Sequence, residues 1–262
     1  MQPSTPNKPD RPTRVPKGRV PLLVAKEHRD QAKRLNATWH PDICAWNLPL
    51  AEIDRVPRHM LPVRDRPGLA PPYIRINLVP QTSWGRNIRA LVDKDTWRAF
   101  CREHIYASTG SLCLICGGRG PQWPVEADEV WRFDDAAGVQ RLHGIVPLCP
   151  ACHEVRTAGL ATANGRAQAA ATHLAWVERI TVSEARKRIQ SSLDEWQLRS
   201  RRTWAIDLSY MEARYGIHLE HDDKATAAIN QQLVNEARNR SRPSRTISPD
   251  GIVRKMFGAN FR

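Results

Sequence analysis

The sequence predicts an α+β protein organised around a small ββα metal finger of the treble-clef type. Two Cys-x-x-C pairs, Cys113–Cys116 and Cys149–Cys152, offer four thiolates with the spacing of a tetrahedral structural zinc site. Between the pairs, two apolar-rich runs at 125–135 and 139–148 meet at a glycine turn and predict a β-hairpin. A short helix over 153–159, ending at a glycine, is expected after the second pair.

The cysteine pairs have two alternatives to metal binding, which are disulfide bonds and buried free thiols. A secreted disulfide framework is expected to carry a signal peptide and a denser cysteine pattern, and neither is recognisable in the sequence. The other two cysteines, Cys44 and Cys101, are scattered singly. We therefore predict structural Zn²⁺ and a cytoplasmic location, where cysteines stay reduced. The predicted zinc ligands are Cys113, Cys116, Cys149 and Cys152.

The charge balance favours a polyanionic partner. The 262 residues include 40 Lys and Arg against 27 Asp and Glu, a formal net charge of +13. Such an excess favours nucleic acid first and acidic membrane surfaces second. No apolar run approaches the length of a membrane span, so no membrane association is expected. Nucleic acid, with DNA favoured, is the predicted partner; protein partners are not indicated.

The N-terminal part is predicted to contain an arm and a small α/β module. Residues 1–18 are rich in proline and basic side chains, and we expect a disordered arm. Residues 19–62 predict a β-α-β module with a strand, an amphipathic helix and a two-strand ribbon. Trp39 and Trp46 are expected to supply most of the area buried in its core.

The remainder divides into a linker, the finger and a helical extension. A linker and lead-in at 63–90 is expected to contain one strand, at 73–79, and the zinc finger domain spans 91–160. A helical extension over 161–239 precedes a basic tail, 240–262, which is expected to be disordered.

The helices of these regions follow from apolar periodicity. One is predicted at 95–108 and another at 168–180, and Ser183 is expected to cap a third that ends at Arg199. A last helix is predicted at 224–239. His173 is interpreted as a packed histidine, because nothing around it has the spacing of a metal site.

The order of cysteine pair, hairpin, cysteine pair and helix resembles the zinc-stapled branch of the HNH endonucleases. Leu148-Cys-Pro-Ala-Cys-His153 leads into the helix, and Glu126-Ala-Asp-Glu-Val-Trp131 resembles a bacterial subgroup that has "HEVW" there. This resemblance covers about residues 80–160. Residues 37–49 resemble a small domain of unknown function attached to primases and conjugation proteins, which implies a companion module in DNA metabolism.

The resemblance implies roles for particular residues. In the family a first histidine activates water, an asparagine orients it, and a last histidine holds a divalent metal on the scissile phosphate. His153 matches the last position, Asp128 stands in place of the first histidine, and Gly144 lies near the asparagine position. Mg²⁺ or another divalent ion bound by His153 and Asp128 is therefore the expected catalytic metal. Glu129 could extend the carboxylate cluster, and His143 could act as a substitute base if an irregular hairpin turned it inward.

Two functions from different classes follow. The primary prediction is an HNH-like, metal-dependent DNA endonuclease with an altered active site. The alternative is a non-catalytic zinc-finger nucleic-acid-binding protein that retains the fold. The departures at Asp128 and Gly144 favour the alternative, whereas the carboxylates and His143 leave the first open.

Overall fold

The computed structural model describes residues 15–219, 231, 232, 234 and 235, and within them the chain is a mixed helix-and-strand protein, as predicted. The strands are β1 (Arg19–Leu22), β2 (Thr38–His40), β3 (Ala45–Pro49), β4 (Glu126–Asp134), β5 (Val139–Leu148) and β6 (Ala205–Asp207). The helices are α1 (Arg29–Arg34), α2 (Lys94–Phe100), α3 (Pro150–Arg156), α4 (Ala158–Ala163), α5 (Ala167–Glu178), α6 (Val182–Arg199) and α7 (Ser209–Tyr215). The basic tail at 240–262, most of the arm and most of the helix predicted at 224–239 lie outside the described residues.

The N-terminal module is a three-stranded antiparallel sheet in the order β1-β3-β2, with α1 between β1 and β2 in the chain. Its core is aliphatic and includes Leu22, Leu48 and Met60. The prediction that two tryptophans dominate this core is wrong. Trp39 is 45% exposed. Its ring packs edge-on against the half-buried ring of Trp46, with the ring centroids 5.5 Å apart.

The N-terminal module and the start of the linker pack against the first cysteine pair. The backbone N–H groups of Val63 and Arg64 donate to the carbonyls of Leu114 and Ile115, at 2.9 and 3.1 Å. A small apolar cluster that includes Leu23 and Leu112 fills the space beside this pairing. Val15, within the arm expected to be disordered, is half-buried against the same cluster.

The expected hairpin forms from β4 and β5, and β6 adds to β5 in parallel. Alternation along β4 sends its side chains to two different faces. Ala127 and Trp131 enter the core that also contains Trp97, while Asp128 contacts α3 on the opposite side. The register shifts between Val130 and Trp131, which pair with Gly144 and Leu142, so His143 is an unpaired bulge residue.

The strand predicted at 73–79 does not form. Side chains bind the backbone of this segment in place of a neighbouring strand. The carboxylate of buried Glu178 accepts the N–H groups of Tyr73 and Ile74 at 2.8 and 2.6 Å, and the Trp196 indole donates to the Val79 carbonyl at 3.0 Å. The alternation of apolar residues at 73–79 is typical of a strand. The side chains that form hydrogen bonds with the backbone of this segment, however, lie on α5 and α6.

Three predicted helices differ in their boundaries. The helix expected at 95–108 is α2, which continues into a π-helical turn and a final 3₁₀ turn ending at Gly110. Helix α6 is capped by Thr181 rather than Ser183: the Glu184 N–H donates to the Thr181 hydroxyl, and the Glu184 carboxylate accepts the Thr181 N–H at 2.8 Å. Helix α3 begins at Pro150 and not at His153. In the part of the chain that the structure describes, none of the helices has the length and apolar character needed to cross a membrane.

Candidate metal centre and the adjoining charged cluster

The four predicted cysteines converge. All are buried, and their Sγ atoms lie within 4.8 Å of one another. The Sγ atoms of Cys116 and Cys149 are 3.6 Å apart, near the separation of about 3.8 Å that tetrahedral zinc with Zn–S bonds of about 2.3 Å requires. All six cysteines of the chain are free of disulfide bonds. The cluster fits a structural metal such as zinc.

Local backbone geometry aims these sulfurs. After the first pair the chain turns tightly: the Gly117 N–H donates to the Cys113 carbonyl, and the Cys113 N–H to the Gly118 carbonyl, both at 2.9 Å. Gly117 has a φ of +67°, a conformation that costs glycine little. The Gly118 N–H also points at the Cys116 sulfur, at 3.4 Å. The second pair is held by the first turn of α3.

A second cluster lies beside the cysteines and is formed by side chains of helix α3 and strand β4. His153, which follows Cys152, places Nδ1 2.8 Å from a Glu126 carboxylate oxygen and Nε2 3.6 Å from an Asp128 oxygen. Arg156, one turn further along α3, places Nε 2.5 Å from the other Asp128 oxygen. We call Glu126, Asp128, His153 and Arg156 the charged cluster.

The charges of this cluster are matched internally. Burial would lower the pKa of His153, but the hydrogen bond that its ring donates to Glu126 and the negative charges of Asp128 and Glu126 outweigh it and raise that pKa. Burial raises the pKa of Asp128, an effect that Arg156 and His153 partly offset. The hydrogen bond to His153 lowers the pKa of Glu126. Each carboxylate therefore already has a cationic partner or a hydrogen-bond donor.

Arg156 is fixed in this position. Its side chain is 6% exposed, and its terminal nitrogens donate to the carbonyls of Arg75 and Glu129 at 3.2 and 3.1 Å. A divalent cation bound to Asp128 would lie beside the buried Arg156 guanidinium, which its other hydrogen bonds hold in place. The residues predicted to hold a catalytic metal, Asp128 and His153, are thus brought together but do not fit such an ion. Within the described chain, the cysteine set is the one group of three or more metal-binding side chains whose ligand atoms converge.

The structure does not bring Glu129 to this cluster. It lies on the other face of β4, where its carboxylate accepts the Ile88 N–H at 2.9 Å. Burial, with a smaller contribution from the charge of Asp128, raises the pKa of Glu129 to about 7. Glu129 is one residue from Asp128 in sequence, but the pleat of the strand separates the two side chains.

His143 is also apart from the cluster. The hairpin irregularity occurs at this residue, yet its side chain is exposed and makes no hydrogen bond or ion pair with Asp128 or His153. Gly144 is buried beside it, and a Cβ there would meet only the Tyr210 hydroxyl, at 4.0 Å. The space at Gly144 therefore admits a Cβ without a close contact.

An open cavity of about 550 Å³ adjoins both clusters and is lined in part by Glu126, His153 and Arg119. Beside it, the Trp123 indole hydrogen-bonds to Glu126 while the ring remains 57% exposed. Arg89 is exposed and near enough to Glu126 to lower its pKa slightly. An exposed aromatic ring and an exposed cation thus lie near Glu126, which is one of the residues that line the cavity.

Sequence reasoning missed Arg156 and assigned His173 no contact with the metal site. Arg156 stands three residues after His153, a spacing that puts both on one face of a helix, so a local signal existed. His173 is buried on α5 with Nε2 3.1 Å from the Cys152 sulfur. No local signal predicts that contact, because twenty-one residues separate the two.

Comparison with protein-family models, curated proteins and solved structures finds no match to this chain.

Proposed function

We propose that this protein binds nucleic acid, with DNA as the favoured ligand, through a zinc-stapled treble-clef finger of HNH type that has lost its catalytic metal site. The observation that carries the proposal is the buried ion pair between Asp128 and Arg156. It occupies the position where the HNH resemblance requires a base and a metal.

The energetics of buried ion pairs support this assignment. Removing one partner of such a pair typically costs about 3–5 kcal/mol, because the other charge is left unpaired in a low-dielectric environment. A metal ion that displaced Arg156 from Asp128 would have to offset that cost. The positive charge of Arg156 lowers the pKa of Asp128 and so partly offsets the increase that burial causes, which weakens this carboxylate as a general base.

The cysteine cluster supports the zinc assignment. Four buried sulfurs within 4.8 Å of one another suit Zn²⁺, and structural zinc sites are closed by four protein ligands. The arrangement of knuckle, hairpin, second knuckle and helix is the one that a treble-clef finger requires. Zinc here holds the finger together and leaves no coordination position open for substrate.

Charge and surface chemistry support nucleic acid as the partner. The chain carries a net charge of +13. Exposed Arg89 can contact phosphate, and exposed Trp123 offers a face on which an unpaired base can stack. Both lie near Glu126 of the charged cluster.

A second candidate function is the metal-dependent endonuclease. One observation favours it: Glu126 and His153 line an open cavity large enough to admit a phosphate group. The misfit of a divalent ion at Asp128 makes this the weaker candidate, and no reaction step is assigned to it.

Two measurements on the full chain separate the candidates. Fluorescence anisotropy with duplex and single-stranded oligonucleotides should show binding that weakens steeply with salt, because each neutralised phosphate contributes about −0.9 to the log–log slope for duplex DNA. Supercoiled plasmid incubated with Mg²⁺, Mn²⁺, Ni²⁺ or Zn²⁺ should remain intact. Absence of binding at low salt contradicts the proposal, and metal-dependent nicking that His153→Ala abolishes establishes the endonuclease.

A rebuilt site tests the HNH assignment itself. Asp128→His, Gly144→Asn and Arg156→Gln together restore the two missing groups and remove the competing cation, and the space at Gly144 accommodates a side chain. Nicking by this variant but not by the wild-type chain supports an HNH fold with a lost site. General bases contribute about 10²- to 10⁴-fold, so a restored activity is measurable. A folded, zinc-loaded triple variant that is inert in every metal argues against the HNH assignment.

A further inference from the structure

A histidine from outside the finger contacts the cysteine cluster. His173 lies on α5, and its Nε2 is 3.1 Å from the Cys152 sulfur. The side chain is 9% exposed and also lines the open cavity, whereas Cys152 is fully buried. Little water therefore reaches the contact, and a hydrogen bond is stronger in such a low-dielectric environment than in water.

His173 is not a ligand of the same site. Its Nε2 approaches one sulfur, whereas the ligand atoms of the four cysteines converge on a common centre without it. The ring nitrogens of His173 do not belong to the group of ligand atoms that all lie within 4.8 Å of one another. A hydrogen bond from Nε2–H to the sulfur accounts for this geometry, and direct coordination does not.

The chemistry of a four-thiolate zinc site explains what such a bond does. Four thiolates carry four negative charges and Zn²⁺ carries two positive ones, so two negative charges remain in an apolar environment. A buried N–H that donates to a sulfur disperses part of that charge and orients the ligand. Groups of this kind commonly contribute 10- to 100-fold to metal affinity.

We propose that His173 is a positioning residue of the zinc site, which donates a hydrogen bond from Nε2 to the Cys152 thiolate and thereby strengthens metal binding. The inference rests on the zinc assignment of the proposed function and goes beyond it. It makes the helical extension part of the metal centre, although all four ligands lie in the finger.

The orientation of His173 is supported by two further side chains, Trp176 on the same helix and Arg64 in the linker. Its ring packs on Trp176 with the centroids 5.5 Å apart, and the guanidinium of Arg64 lies 3.9 Å above the Trp176 ring. Arg64 belongs to the linker whose backbone pairs with the first cysteine knuckle. Linker, helix α5 and finger thus meet around one side chain.

The test compares three variants of the full chain. His173→Phe removes the donor but keeps an aromatic ring against Trp176, and His173→Gln keeps an amide N–H that can reach sulfur. His143→Phe is the matched control, because His143 is exposed and bonds to neither cluster. Zinc affinity is measured by competition with a chromogenic chelator, and the thiolate-to-metal charge-transfer bands are recorded after Co²⁺ replaces Zn²⁺.

We expect His173→Phe to weaken zinc binding about 10- to 100-fold. We also expect its Co²⁺ charge-transfer bands to shift to lower energy, since a thiolate without a hydrogen bond is easier to oxidise. His173→Gln should recover part of both effects, and His143→Phe should match the wild-type chain. Circular dichroism of the zinc-loaded variants confirms that each one is folded.

Other outcomes overturn the inference in distinguishable ways. A folded His173→Phe chain with wild-type zinc affinity and unshifted bands shows that the contact is packing alone. Equal losses in His173→Phe and His173→Gln, again with unshifted bands, lead to the same conclusion. If the wild-type chain itself binds no zinc, the zinc assignment of the proposed function fails together with this inference.

Discussion

The cysteine cluster and the charged cluster share helix α3 and are adjacent in sequence at Cys152 and His153, yet their charges are balanced in opposite ways. The first gathers four buried cysteine sulfurs within 4.8 Å of one another, and as thiolates they would carry four negative charges. The second pairs two carboxylates with Arg156 and with a histidine whose pKa is raised. One cluster requires a metal for electrical balance and the other does not.

The comparison shows that ligand type alone does not make a metal site. His153, Asp128 and Glu126 are all residues that bind divalent ions in other proteins. Here the guanidinium that reaches Asp128 supplies the positive charge that an ion would bring. Whether carboxylates bind metal therefore depends on which cation the fold places closest to them.

The largest expected effect tests the cysteine side of the comparison. Cys113→Ser should unfold the finger, because structural zinc sites contribute on the order of 10 kcal/mol to folding. Cys44→Ser, which changes an exposed cysteine outside the cluster, should leave thermal unfolding unchanged. Elemental analysis should find one zinc ion per wild-type chain and none bound to the Cys113 variant. A wild-type chain purified without zinc, yet stably folded, would contradict this side of the comparison.

A smaller effect is expected when the charged cluster is broken. Arg156→Met leaves Asp128 buried without its cation and should destabilise the zinc-loaded chain by about 3–5 kcal/mol in urea unfolding. Asp128→Leu combined with Arg156→Met should restore most of that loss, because both charges are then removed. Asp30→Asn is the control, since it breaks an exposed pair with Lys33 and should have no measurable effect.

The same variant can convert one cluster into the other. With Arg156 replaced by Met, Asp128 and His153 lose the competing cation, so added Mn²⁺ should raise the melting temperature of the variant. The wild-type chain should show no such rise in melting temperature. Ca²⁺-free buffers with matched NaCl content control for any change caused by ionic strength alone. An equal Mn²⁺ response in both chains would show that Arg156 does not exclude the metal.

Glu129 provides a third case, a half-buried carboxylate whose carboxylate oxygen accepts the Ile88 N–H. Its pKa in the folded chain is raised to about 7, above the unfolded value near 4.5, so the folded chain holds the proton more tightly. Stability should therefore fall as the pH rises from about 4.5 to 7 and stay flat above that, with a total change of at most roughly 3 kcal/mol. Glu129→Gln should remove this slope in urea unfolding measured across the same range.

The smallest expected effect concerns the surface beside the charged cluster. Arg89→Ala should reduce the log–log salt dependence of duplex DNA binding by about 0.9, because one phosphate contact is lost. Arg55→Ala, which removes an exposed charge from the N-terminal module, is the matched control and should leave the slope unchanged. Equal slopes for the wild-type and Arg89→Ala chains would place the nucleic-acid contact elsewhere.

Features of this protein that depend on neighbouring residues were predictable from the sequence. The two cysteine pairs, the hairpin between them and the helix after them follow from short-range spacing and periodicity. The mixed helix-and-strand class and the convergence of four cysteines were therefore predicted correctly. Helix capping also depends on neighbouring residues. The prediction that Ser183 caps α6 was wrong because Thr181, two residues earlier, forms a reciprocal cap with Glu184.

Only the tertiary structure decided what surrounds each functional group. The pleat of β4 turned Glu129 away from Asp128, the bulge at His143 left that side chain exposed, and α3 brought Arg156 onto Asp128. His173 reached Cys152 from a different helix, and Glu178 replaced the strand partner expected for 73–79. Such contacts join residues far apart in the chain, so no local spacing encodes them. The sequence by itself determined where a metal centre can form, and long-range packing decided which charges remain for a metal to balance.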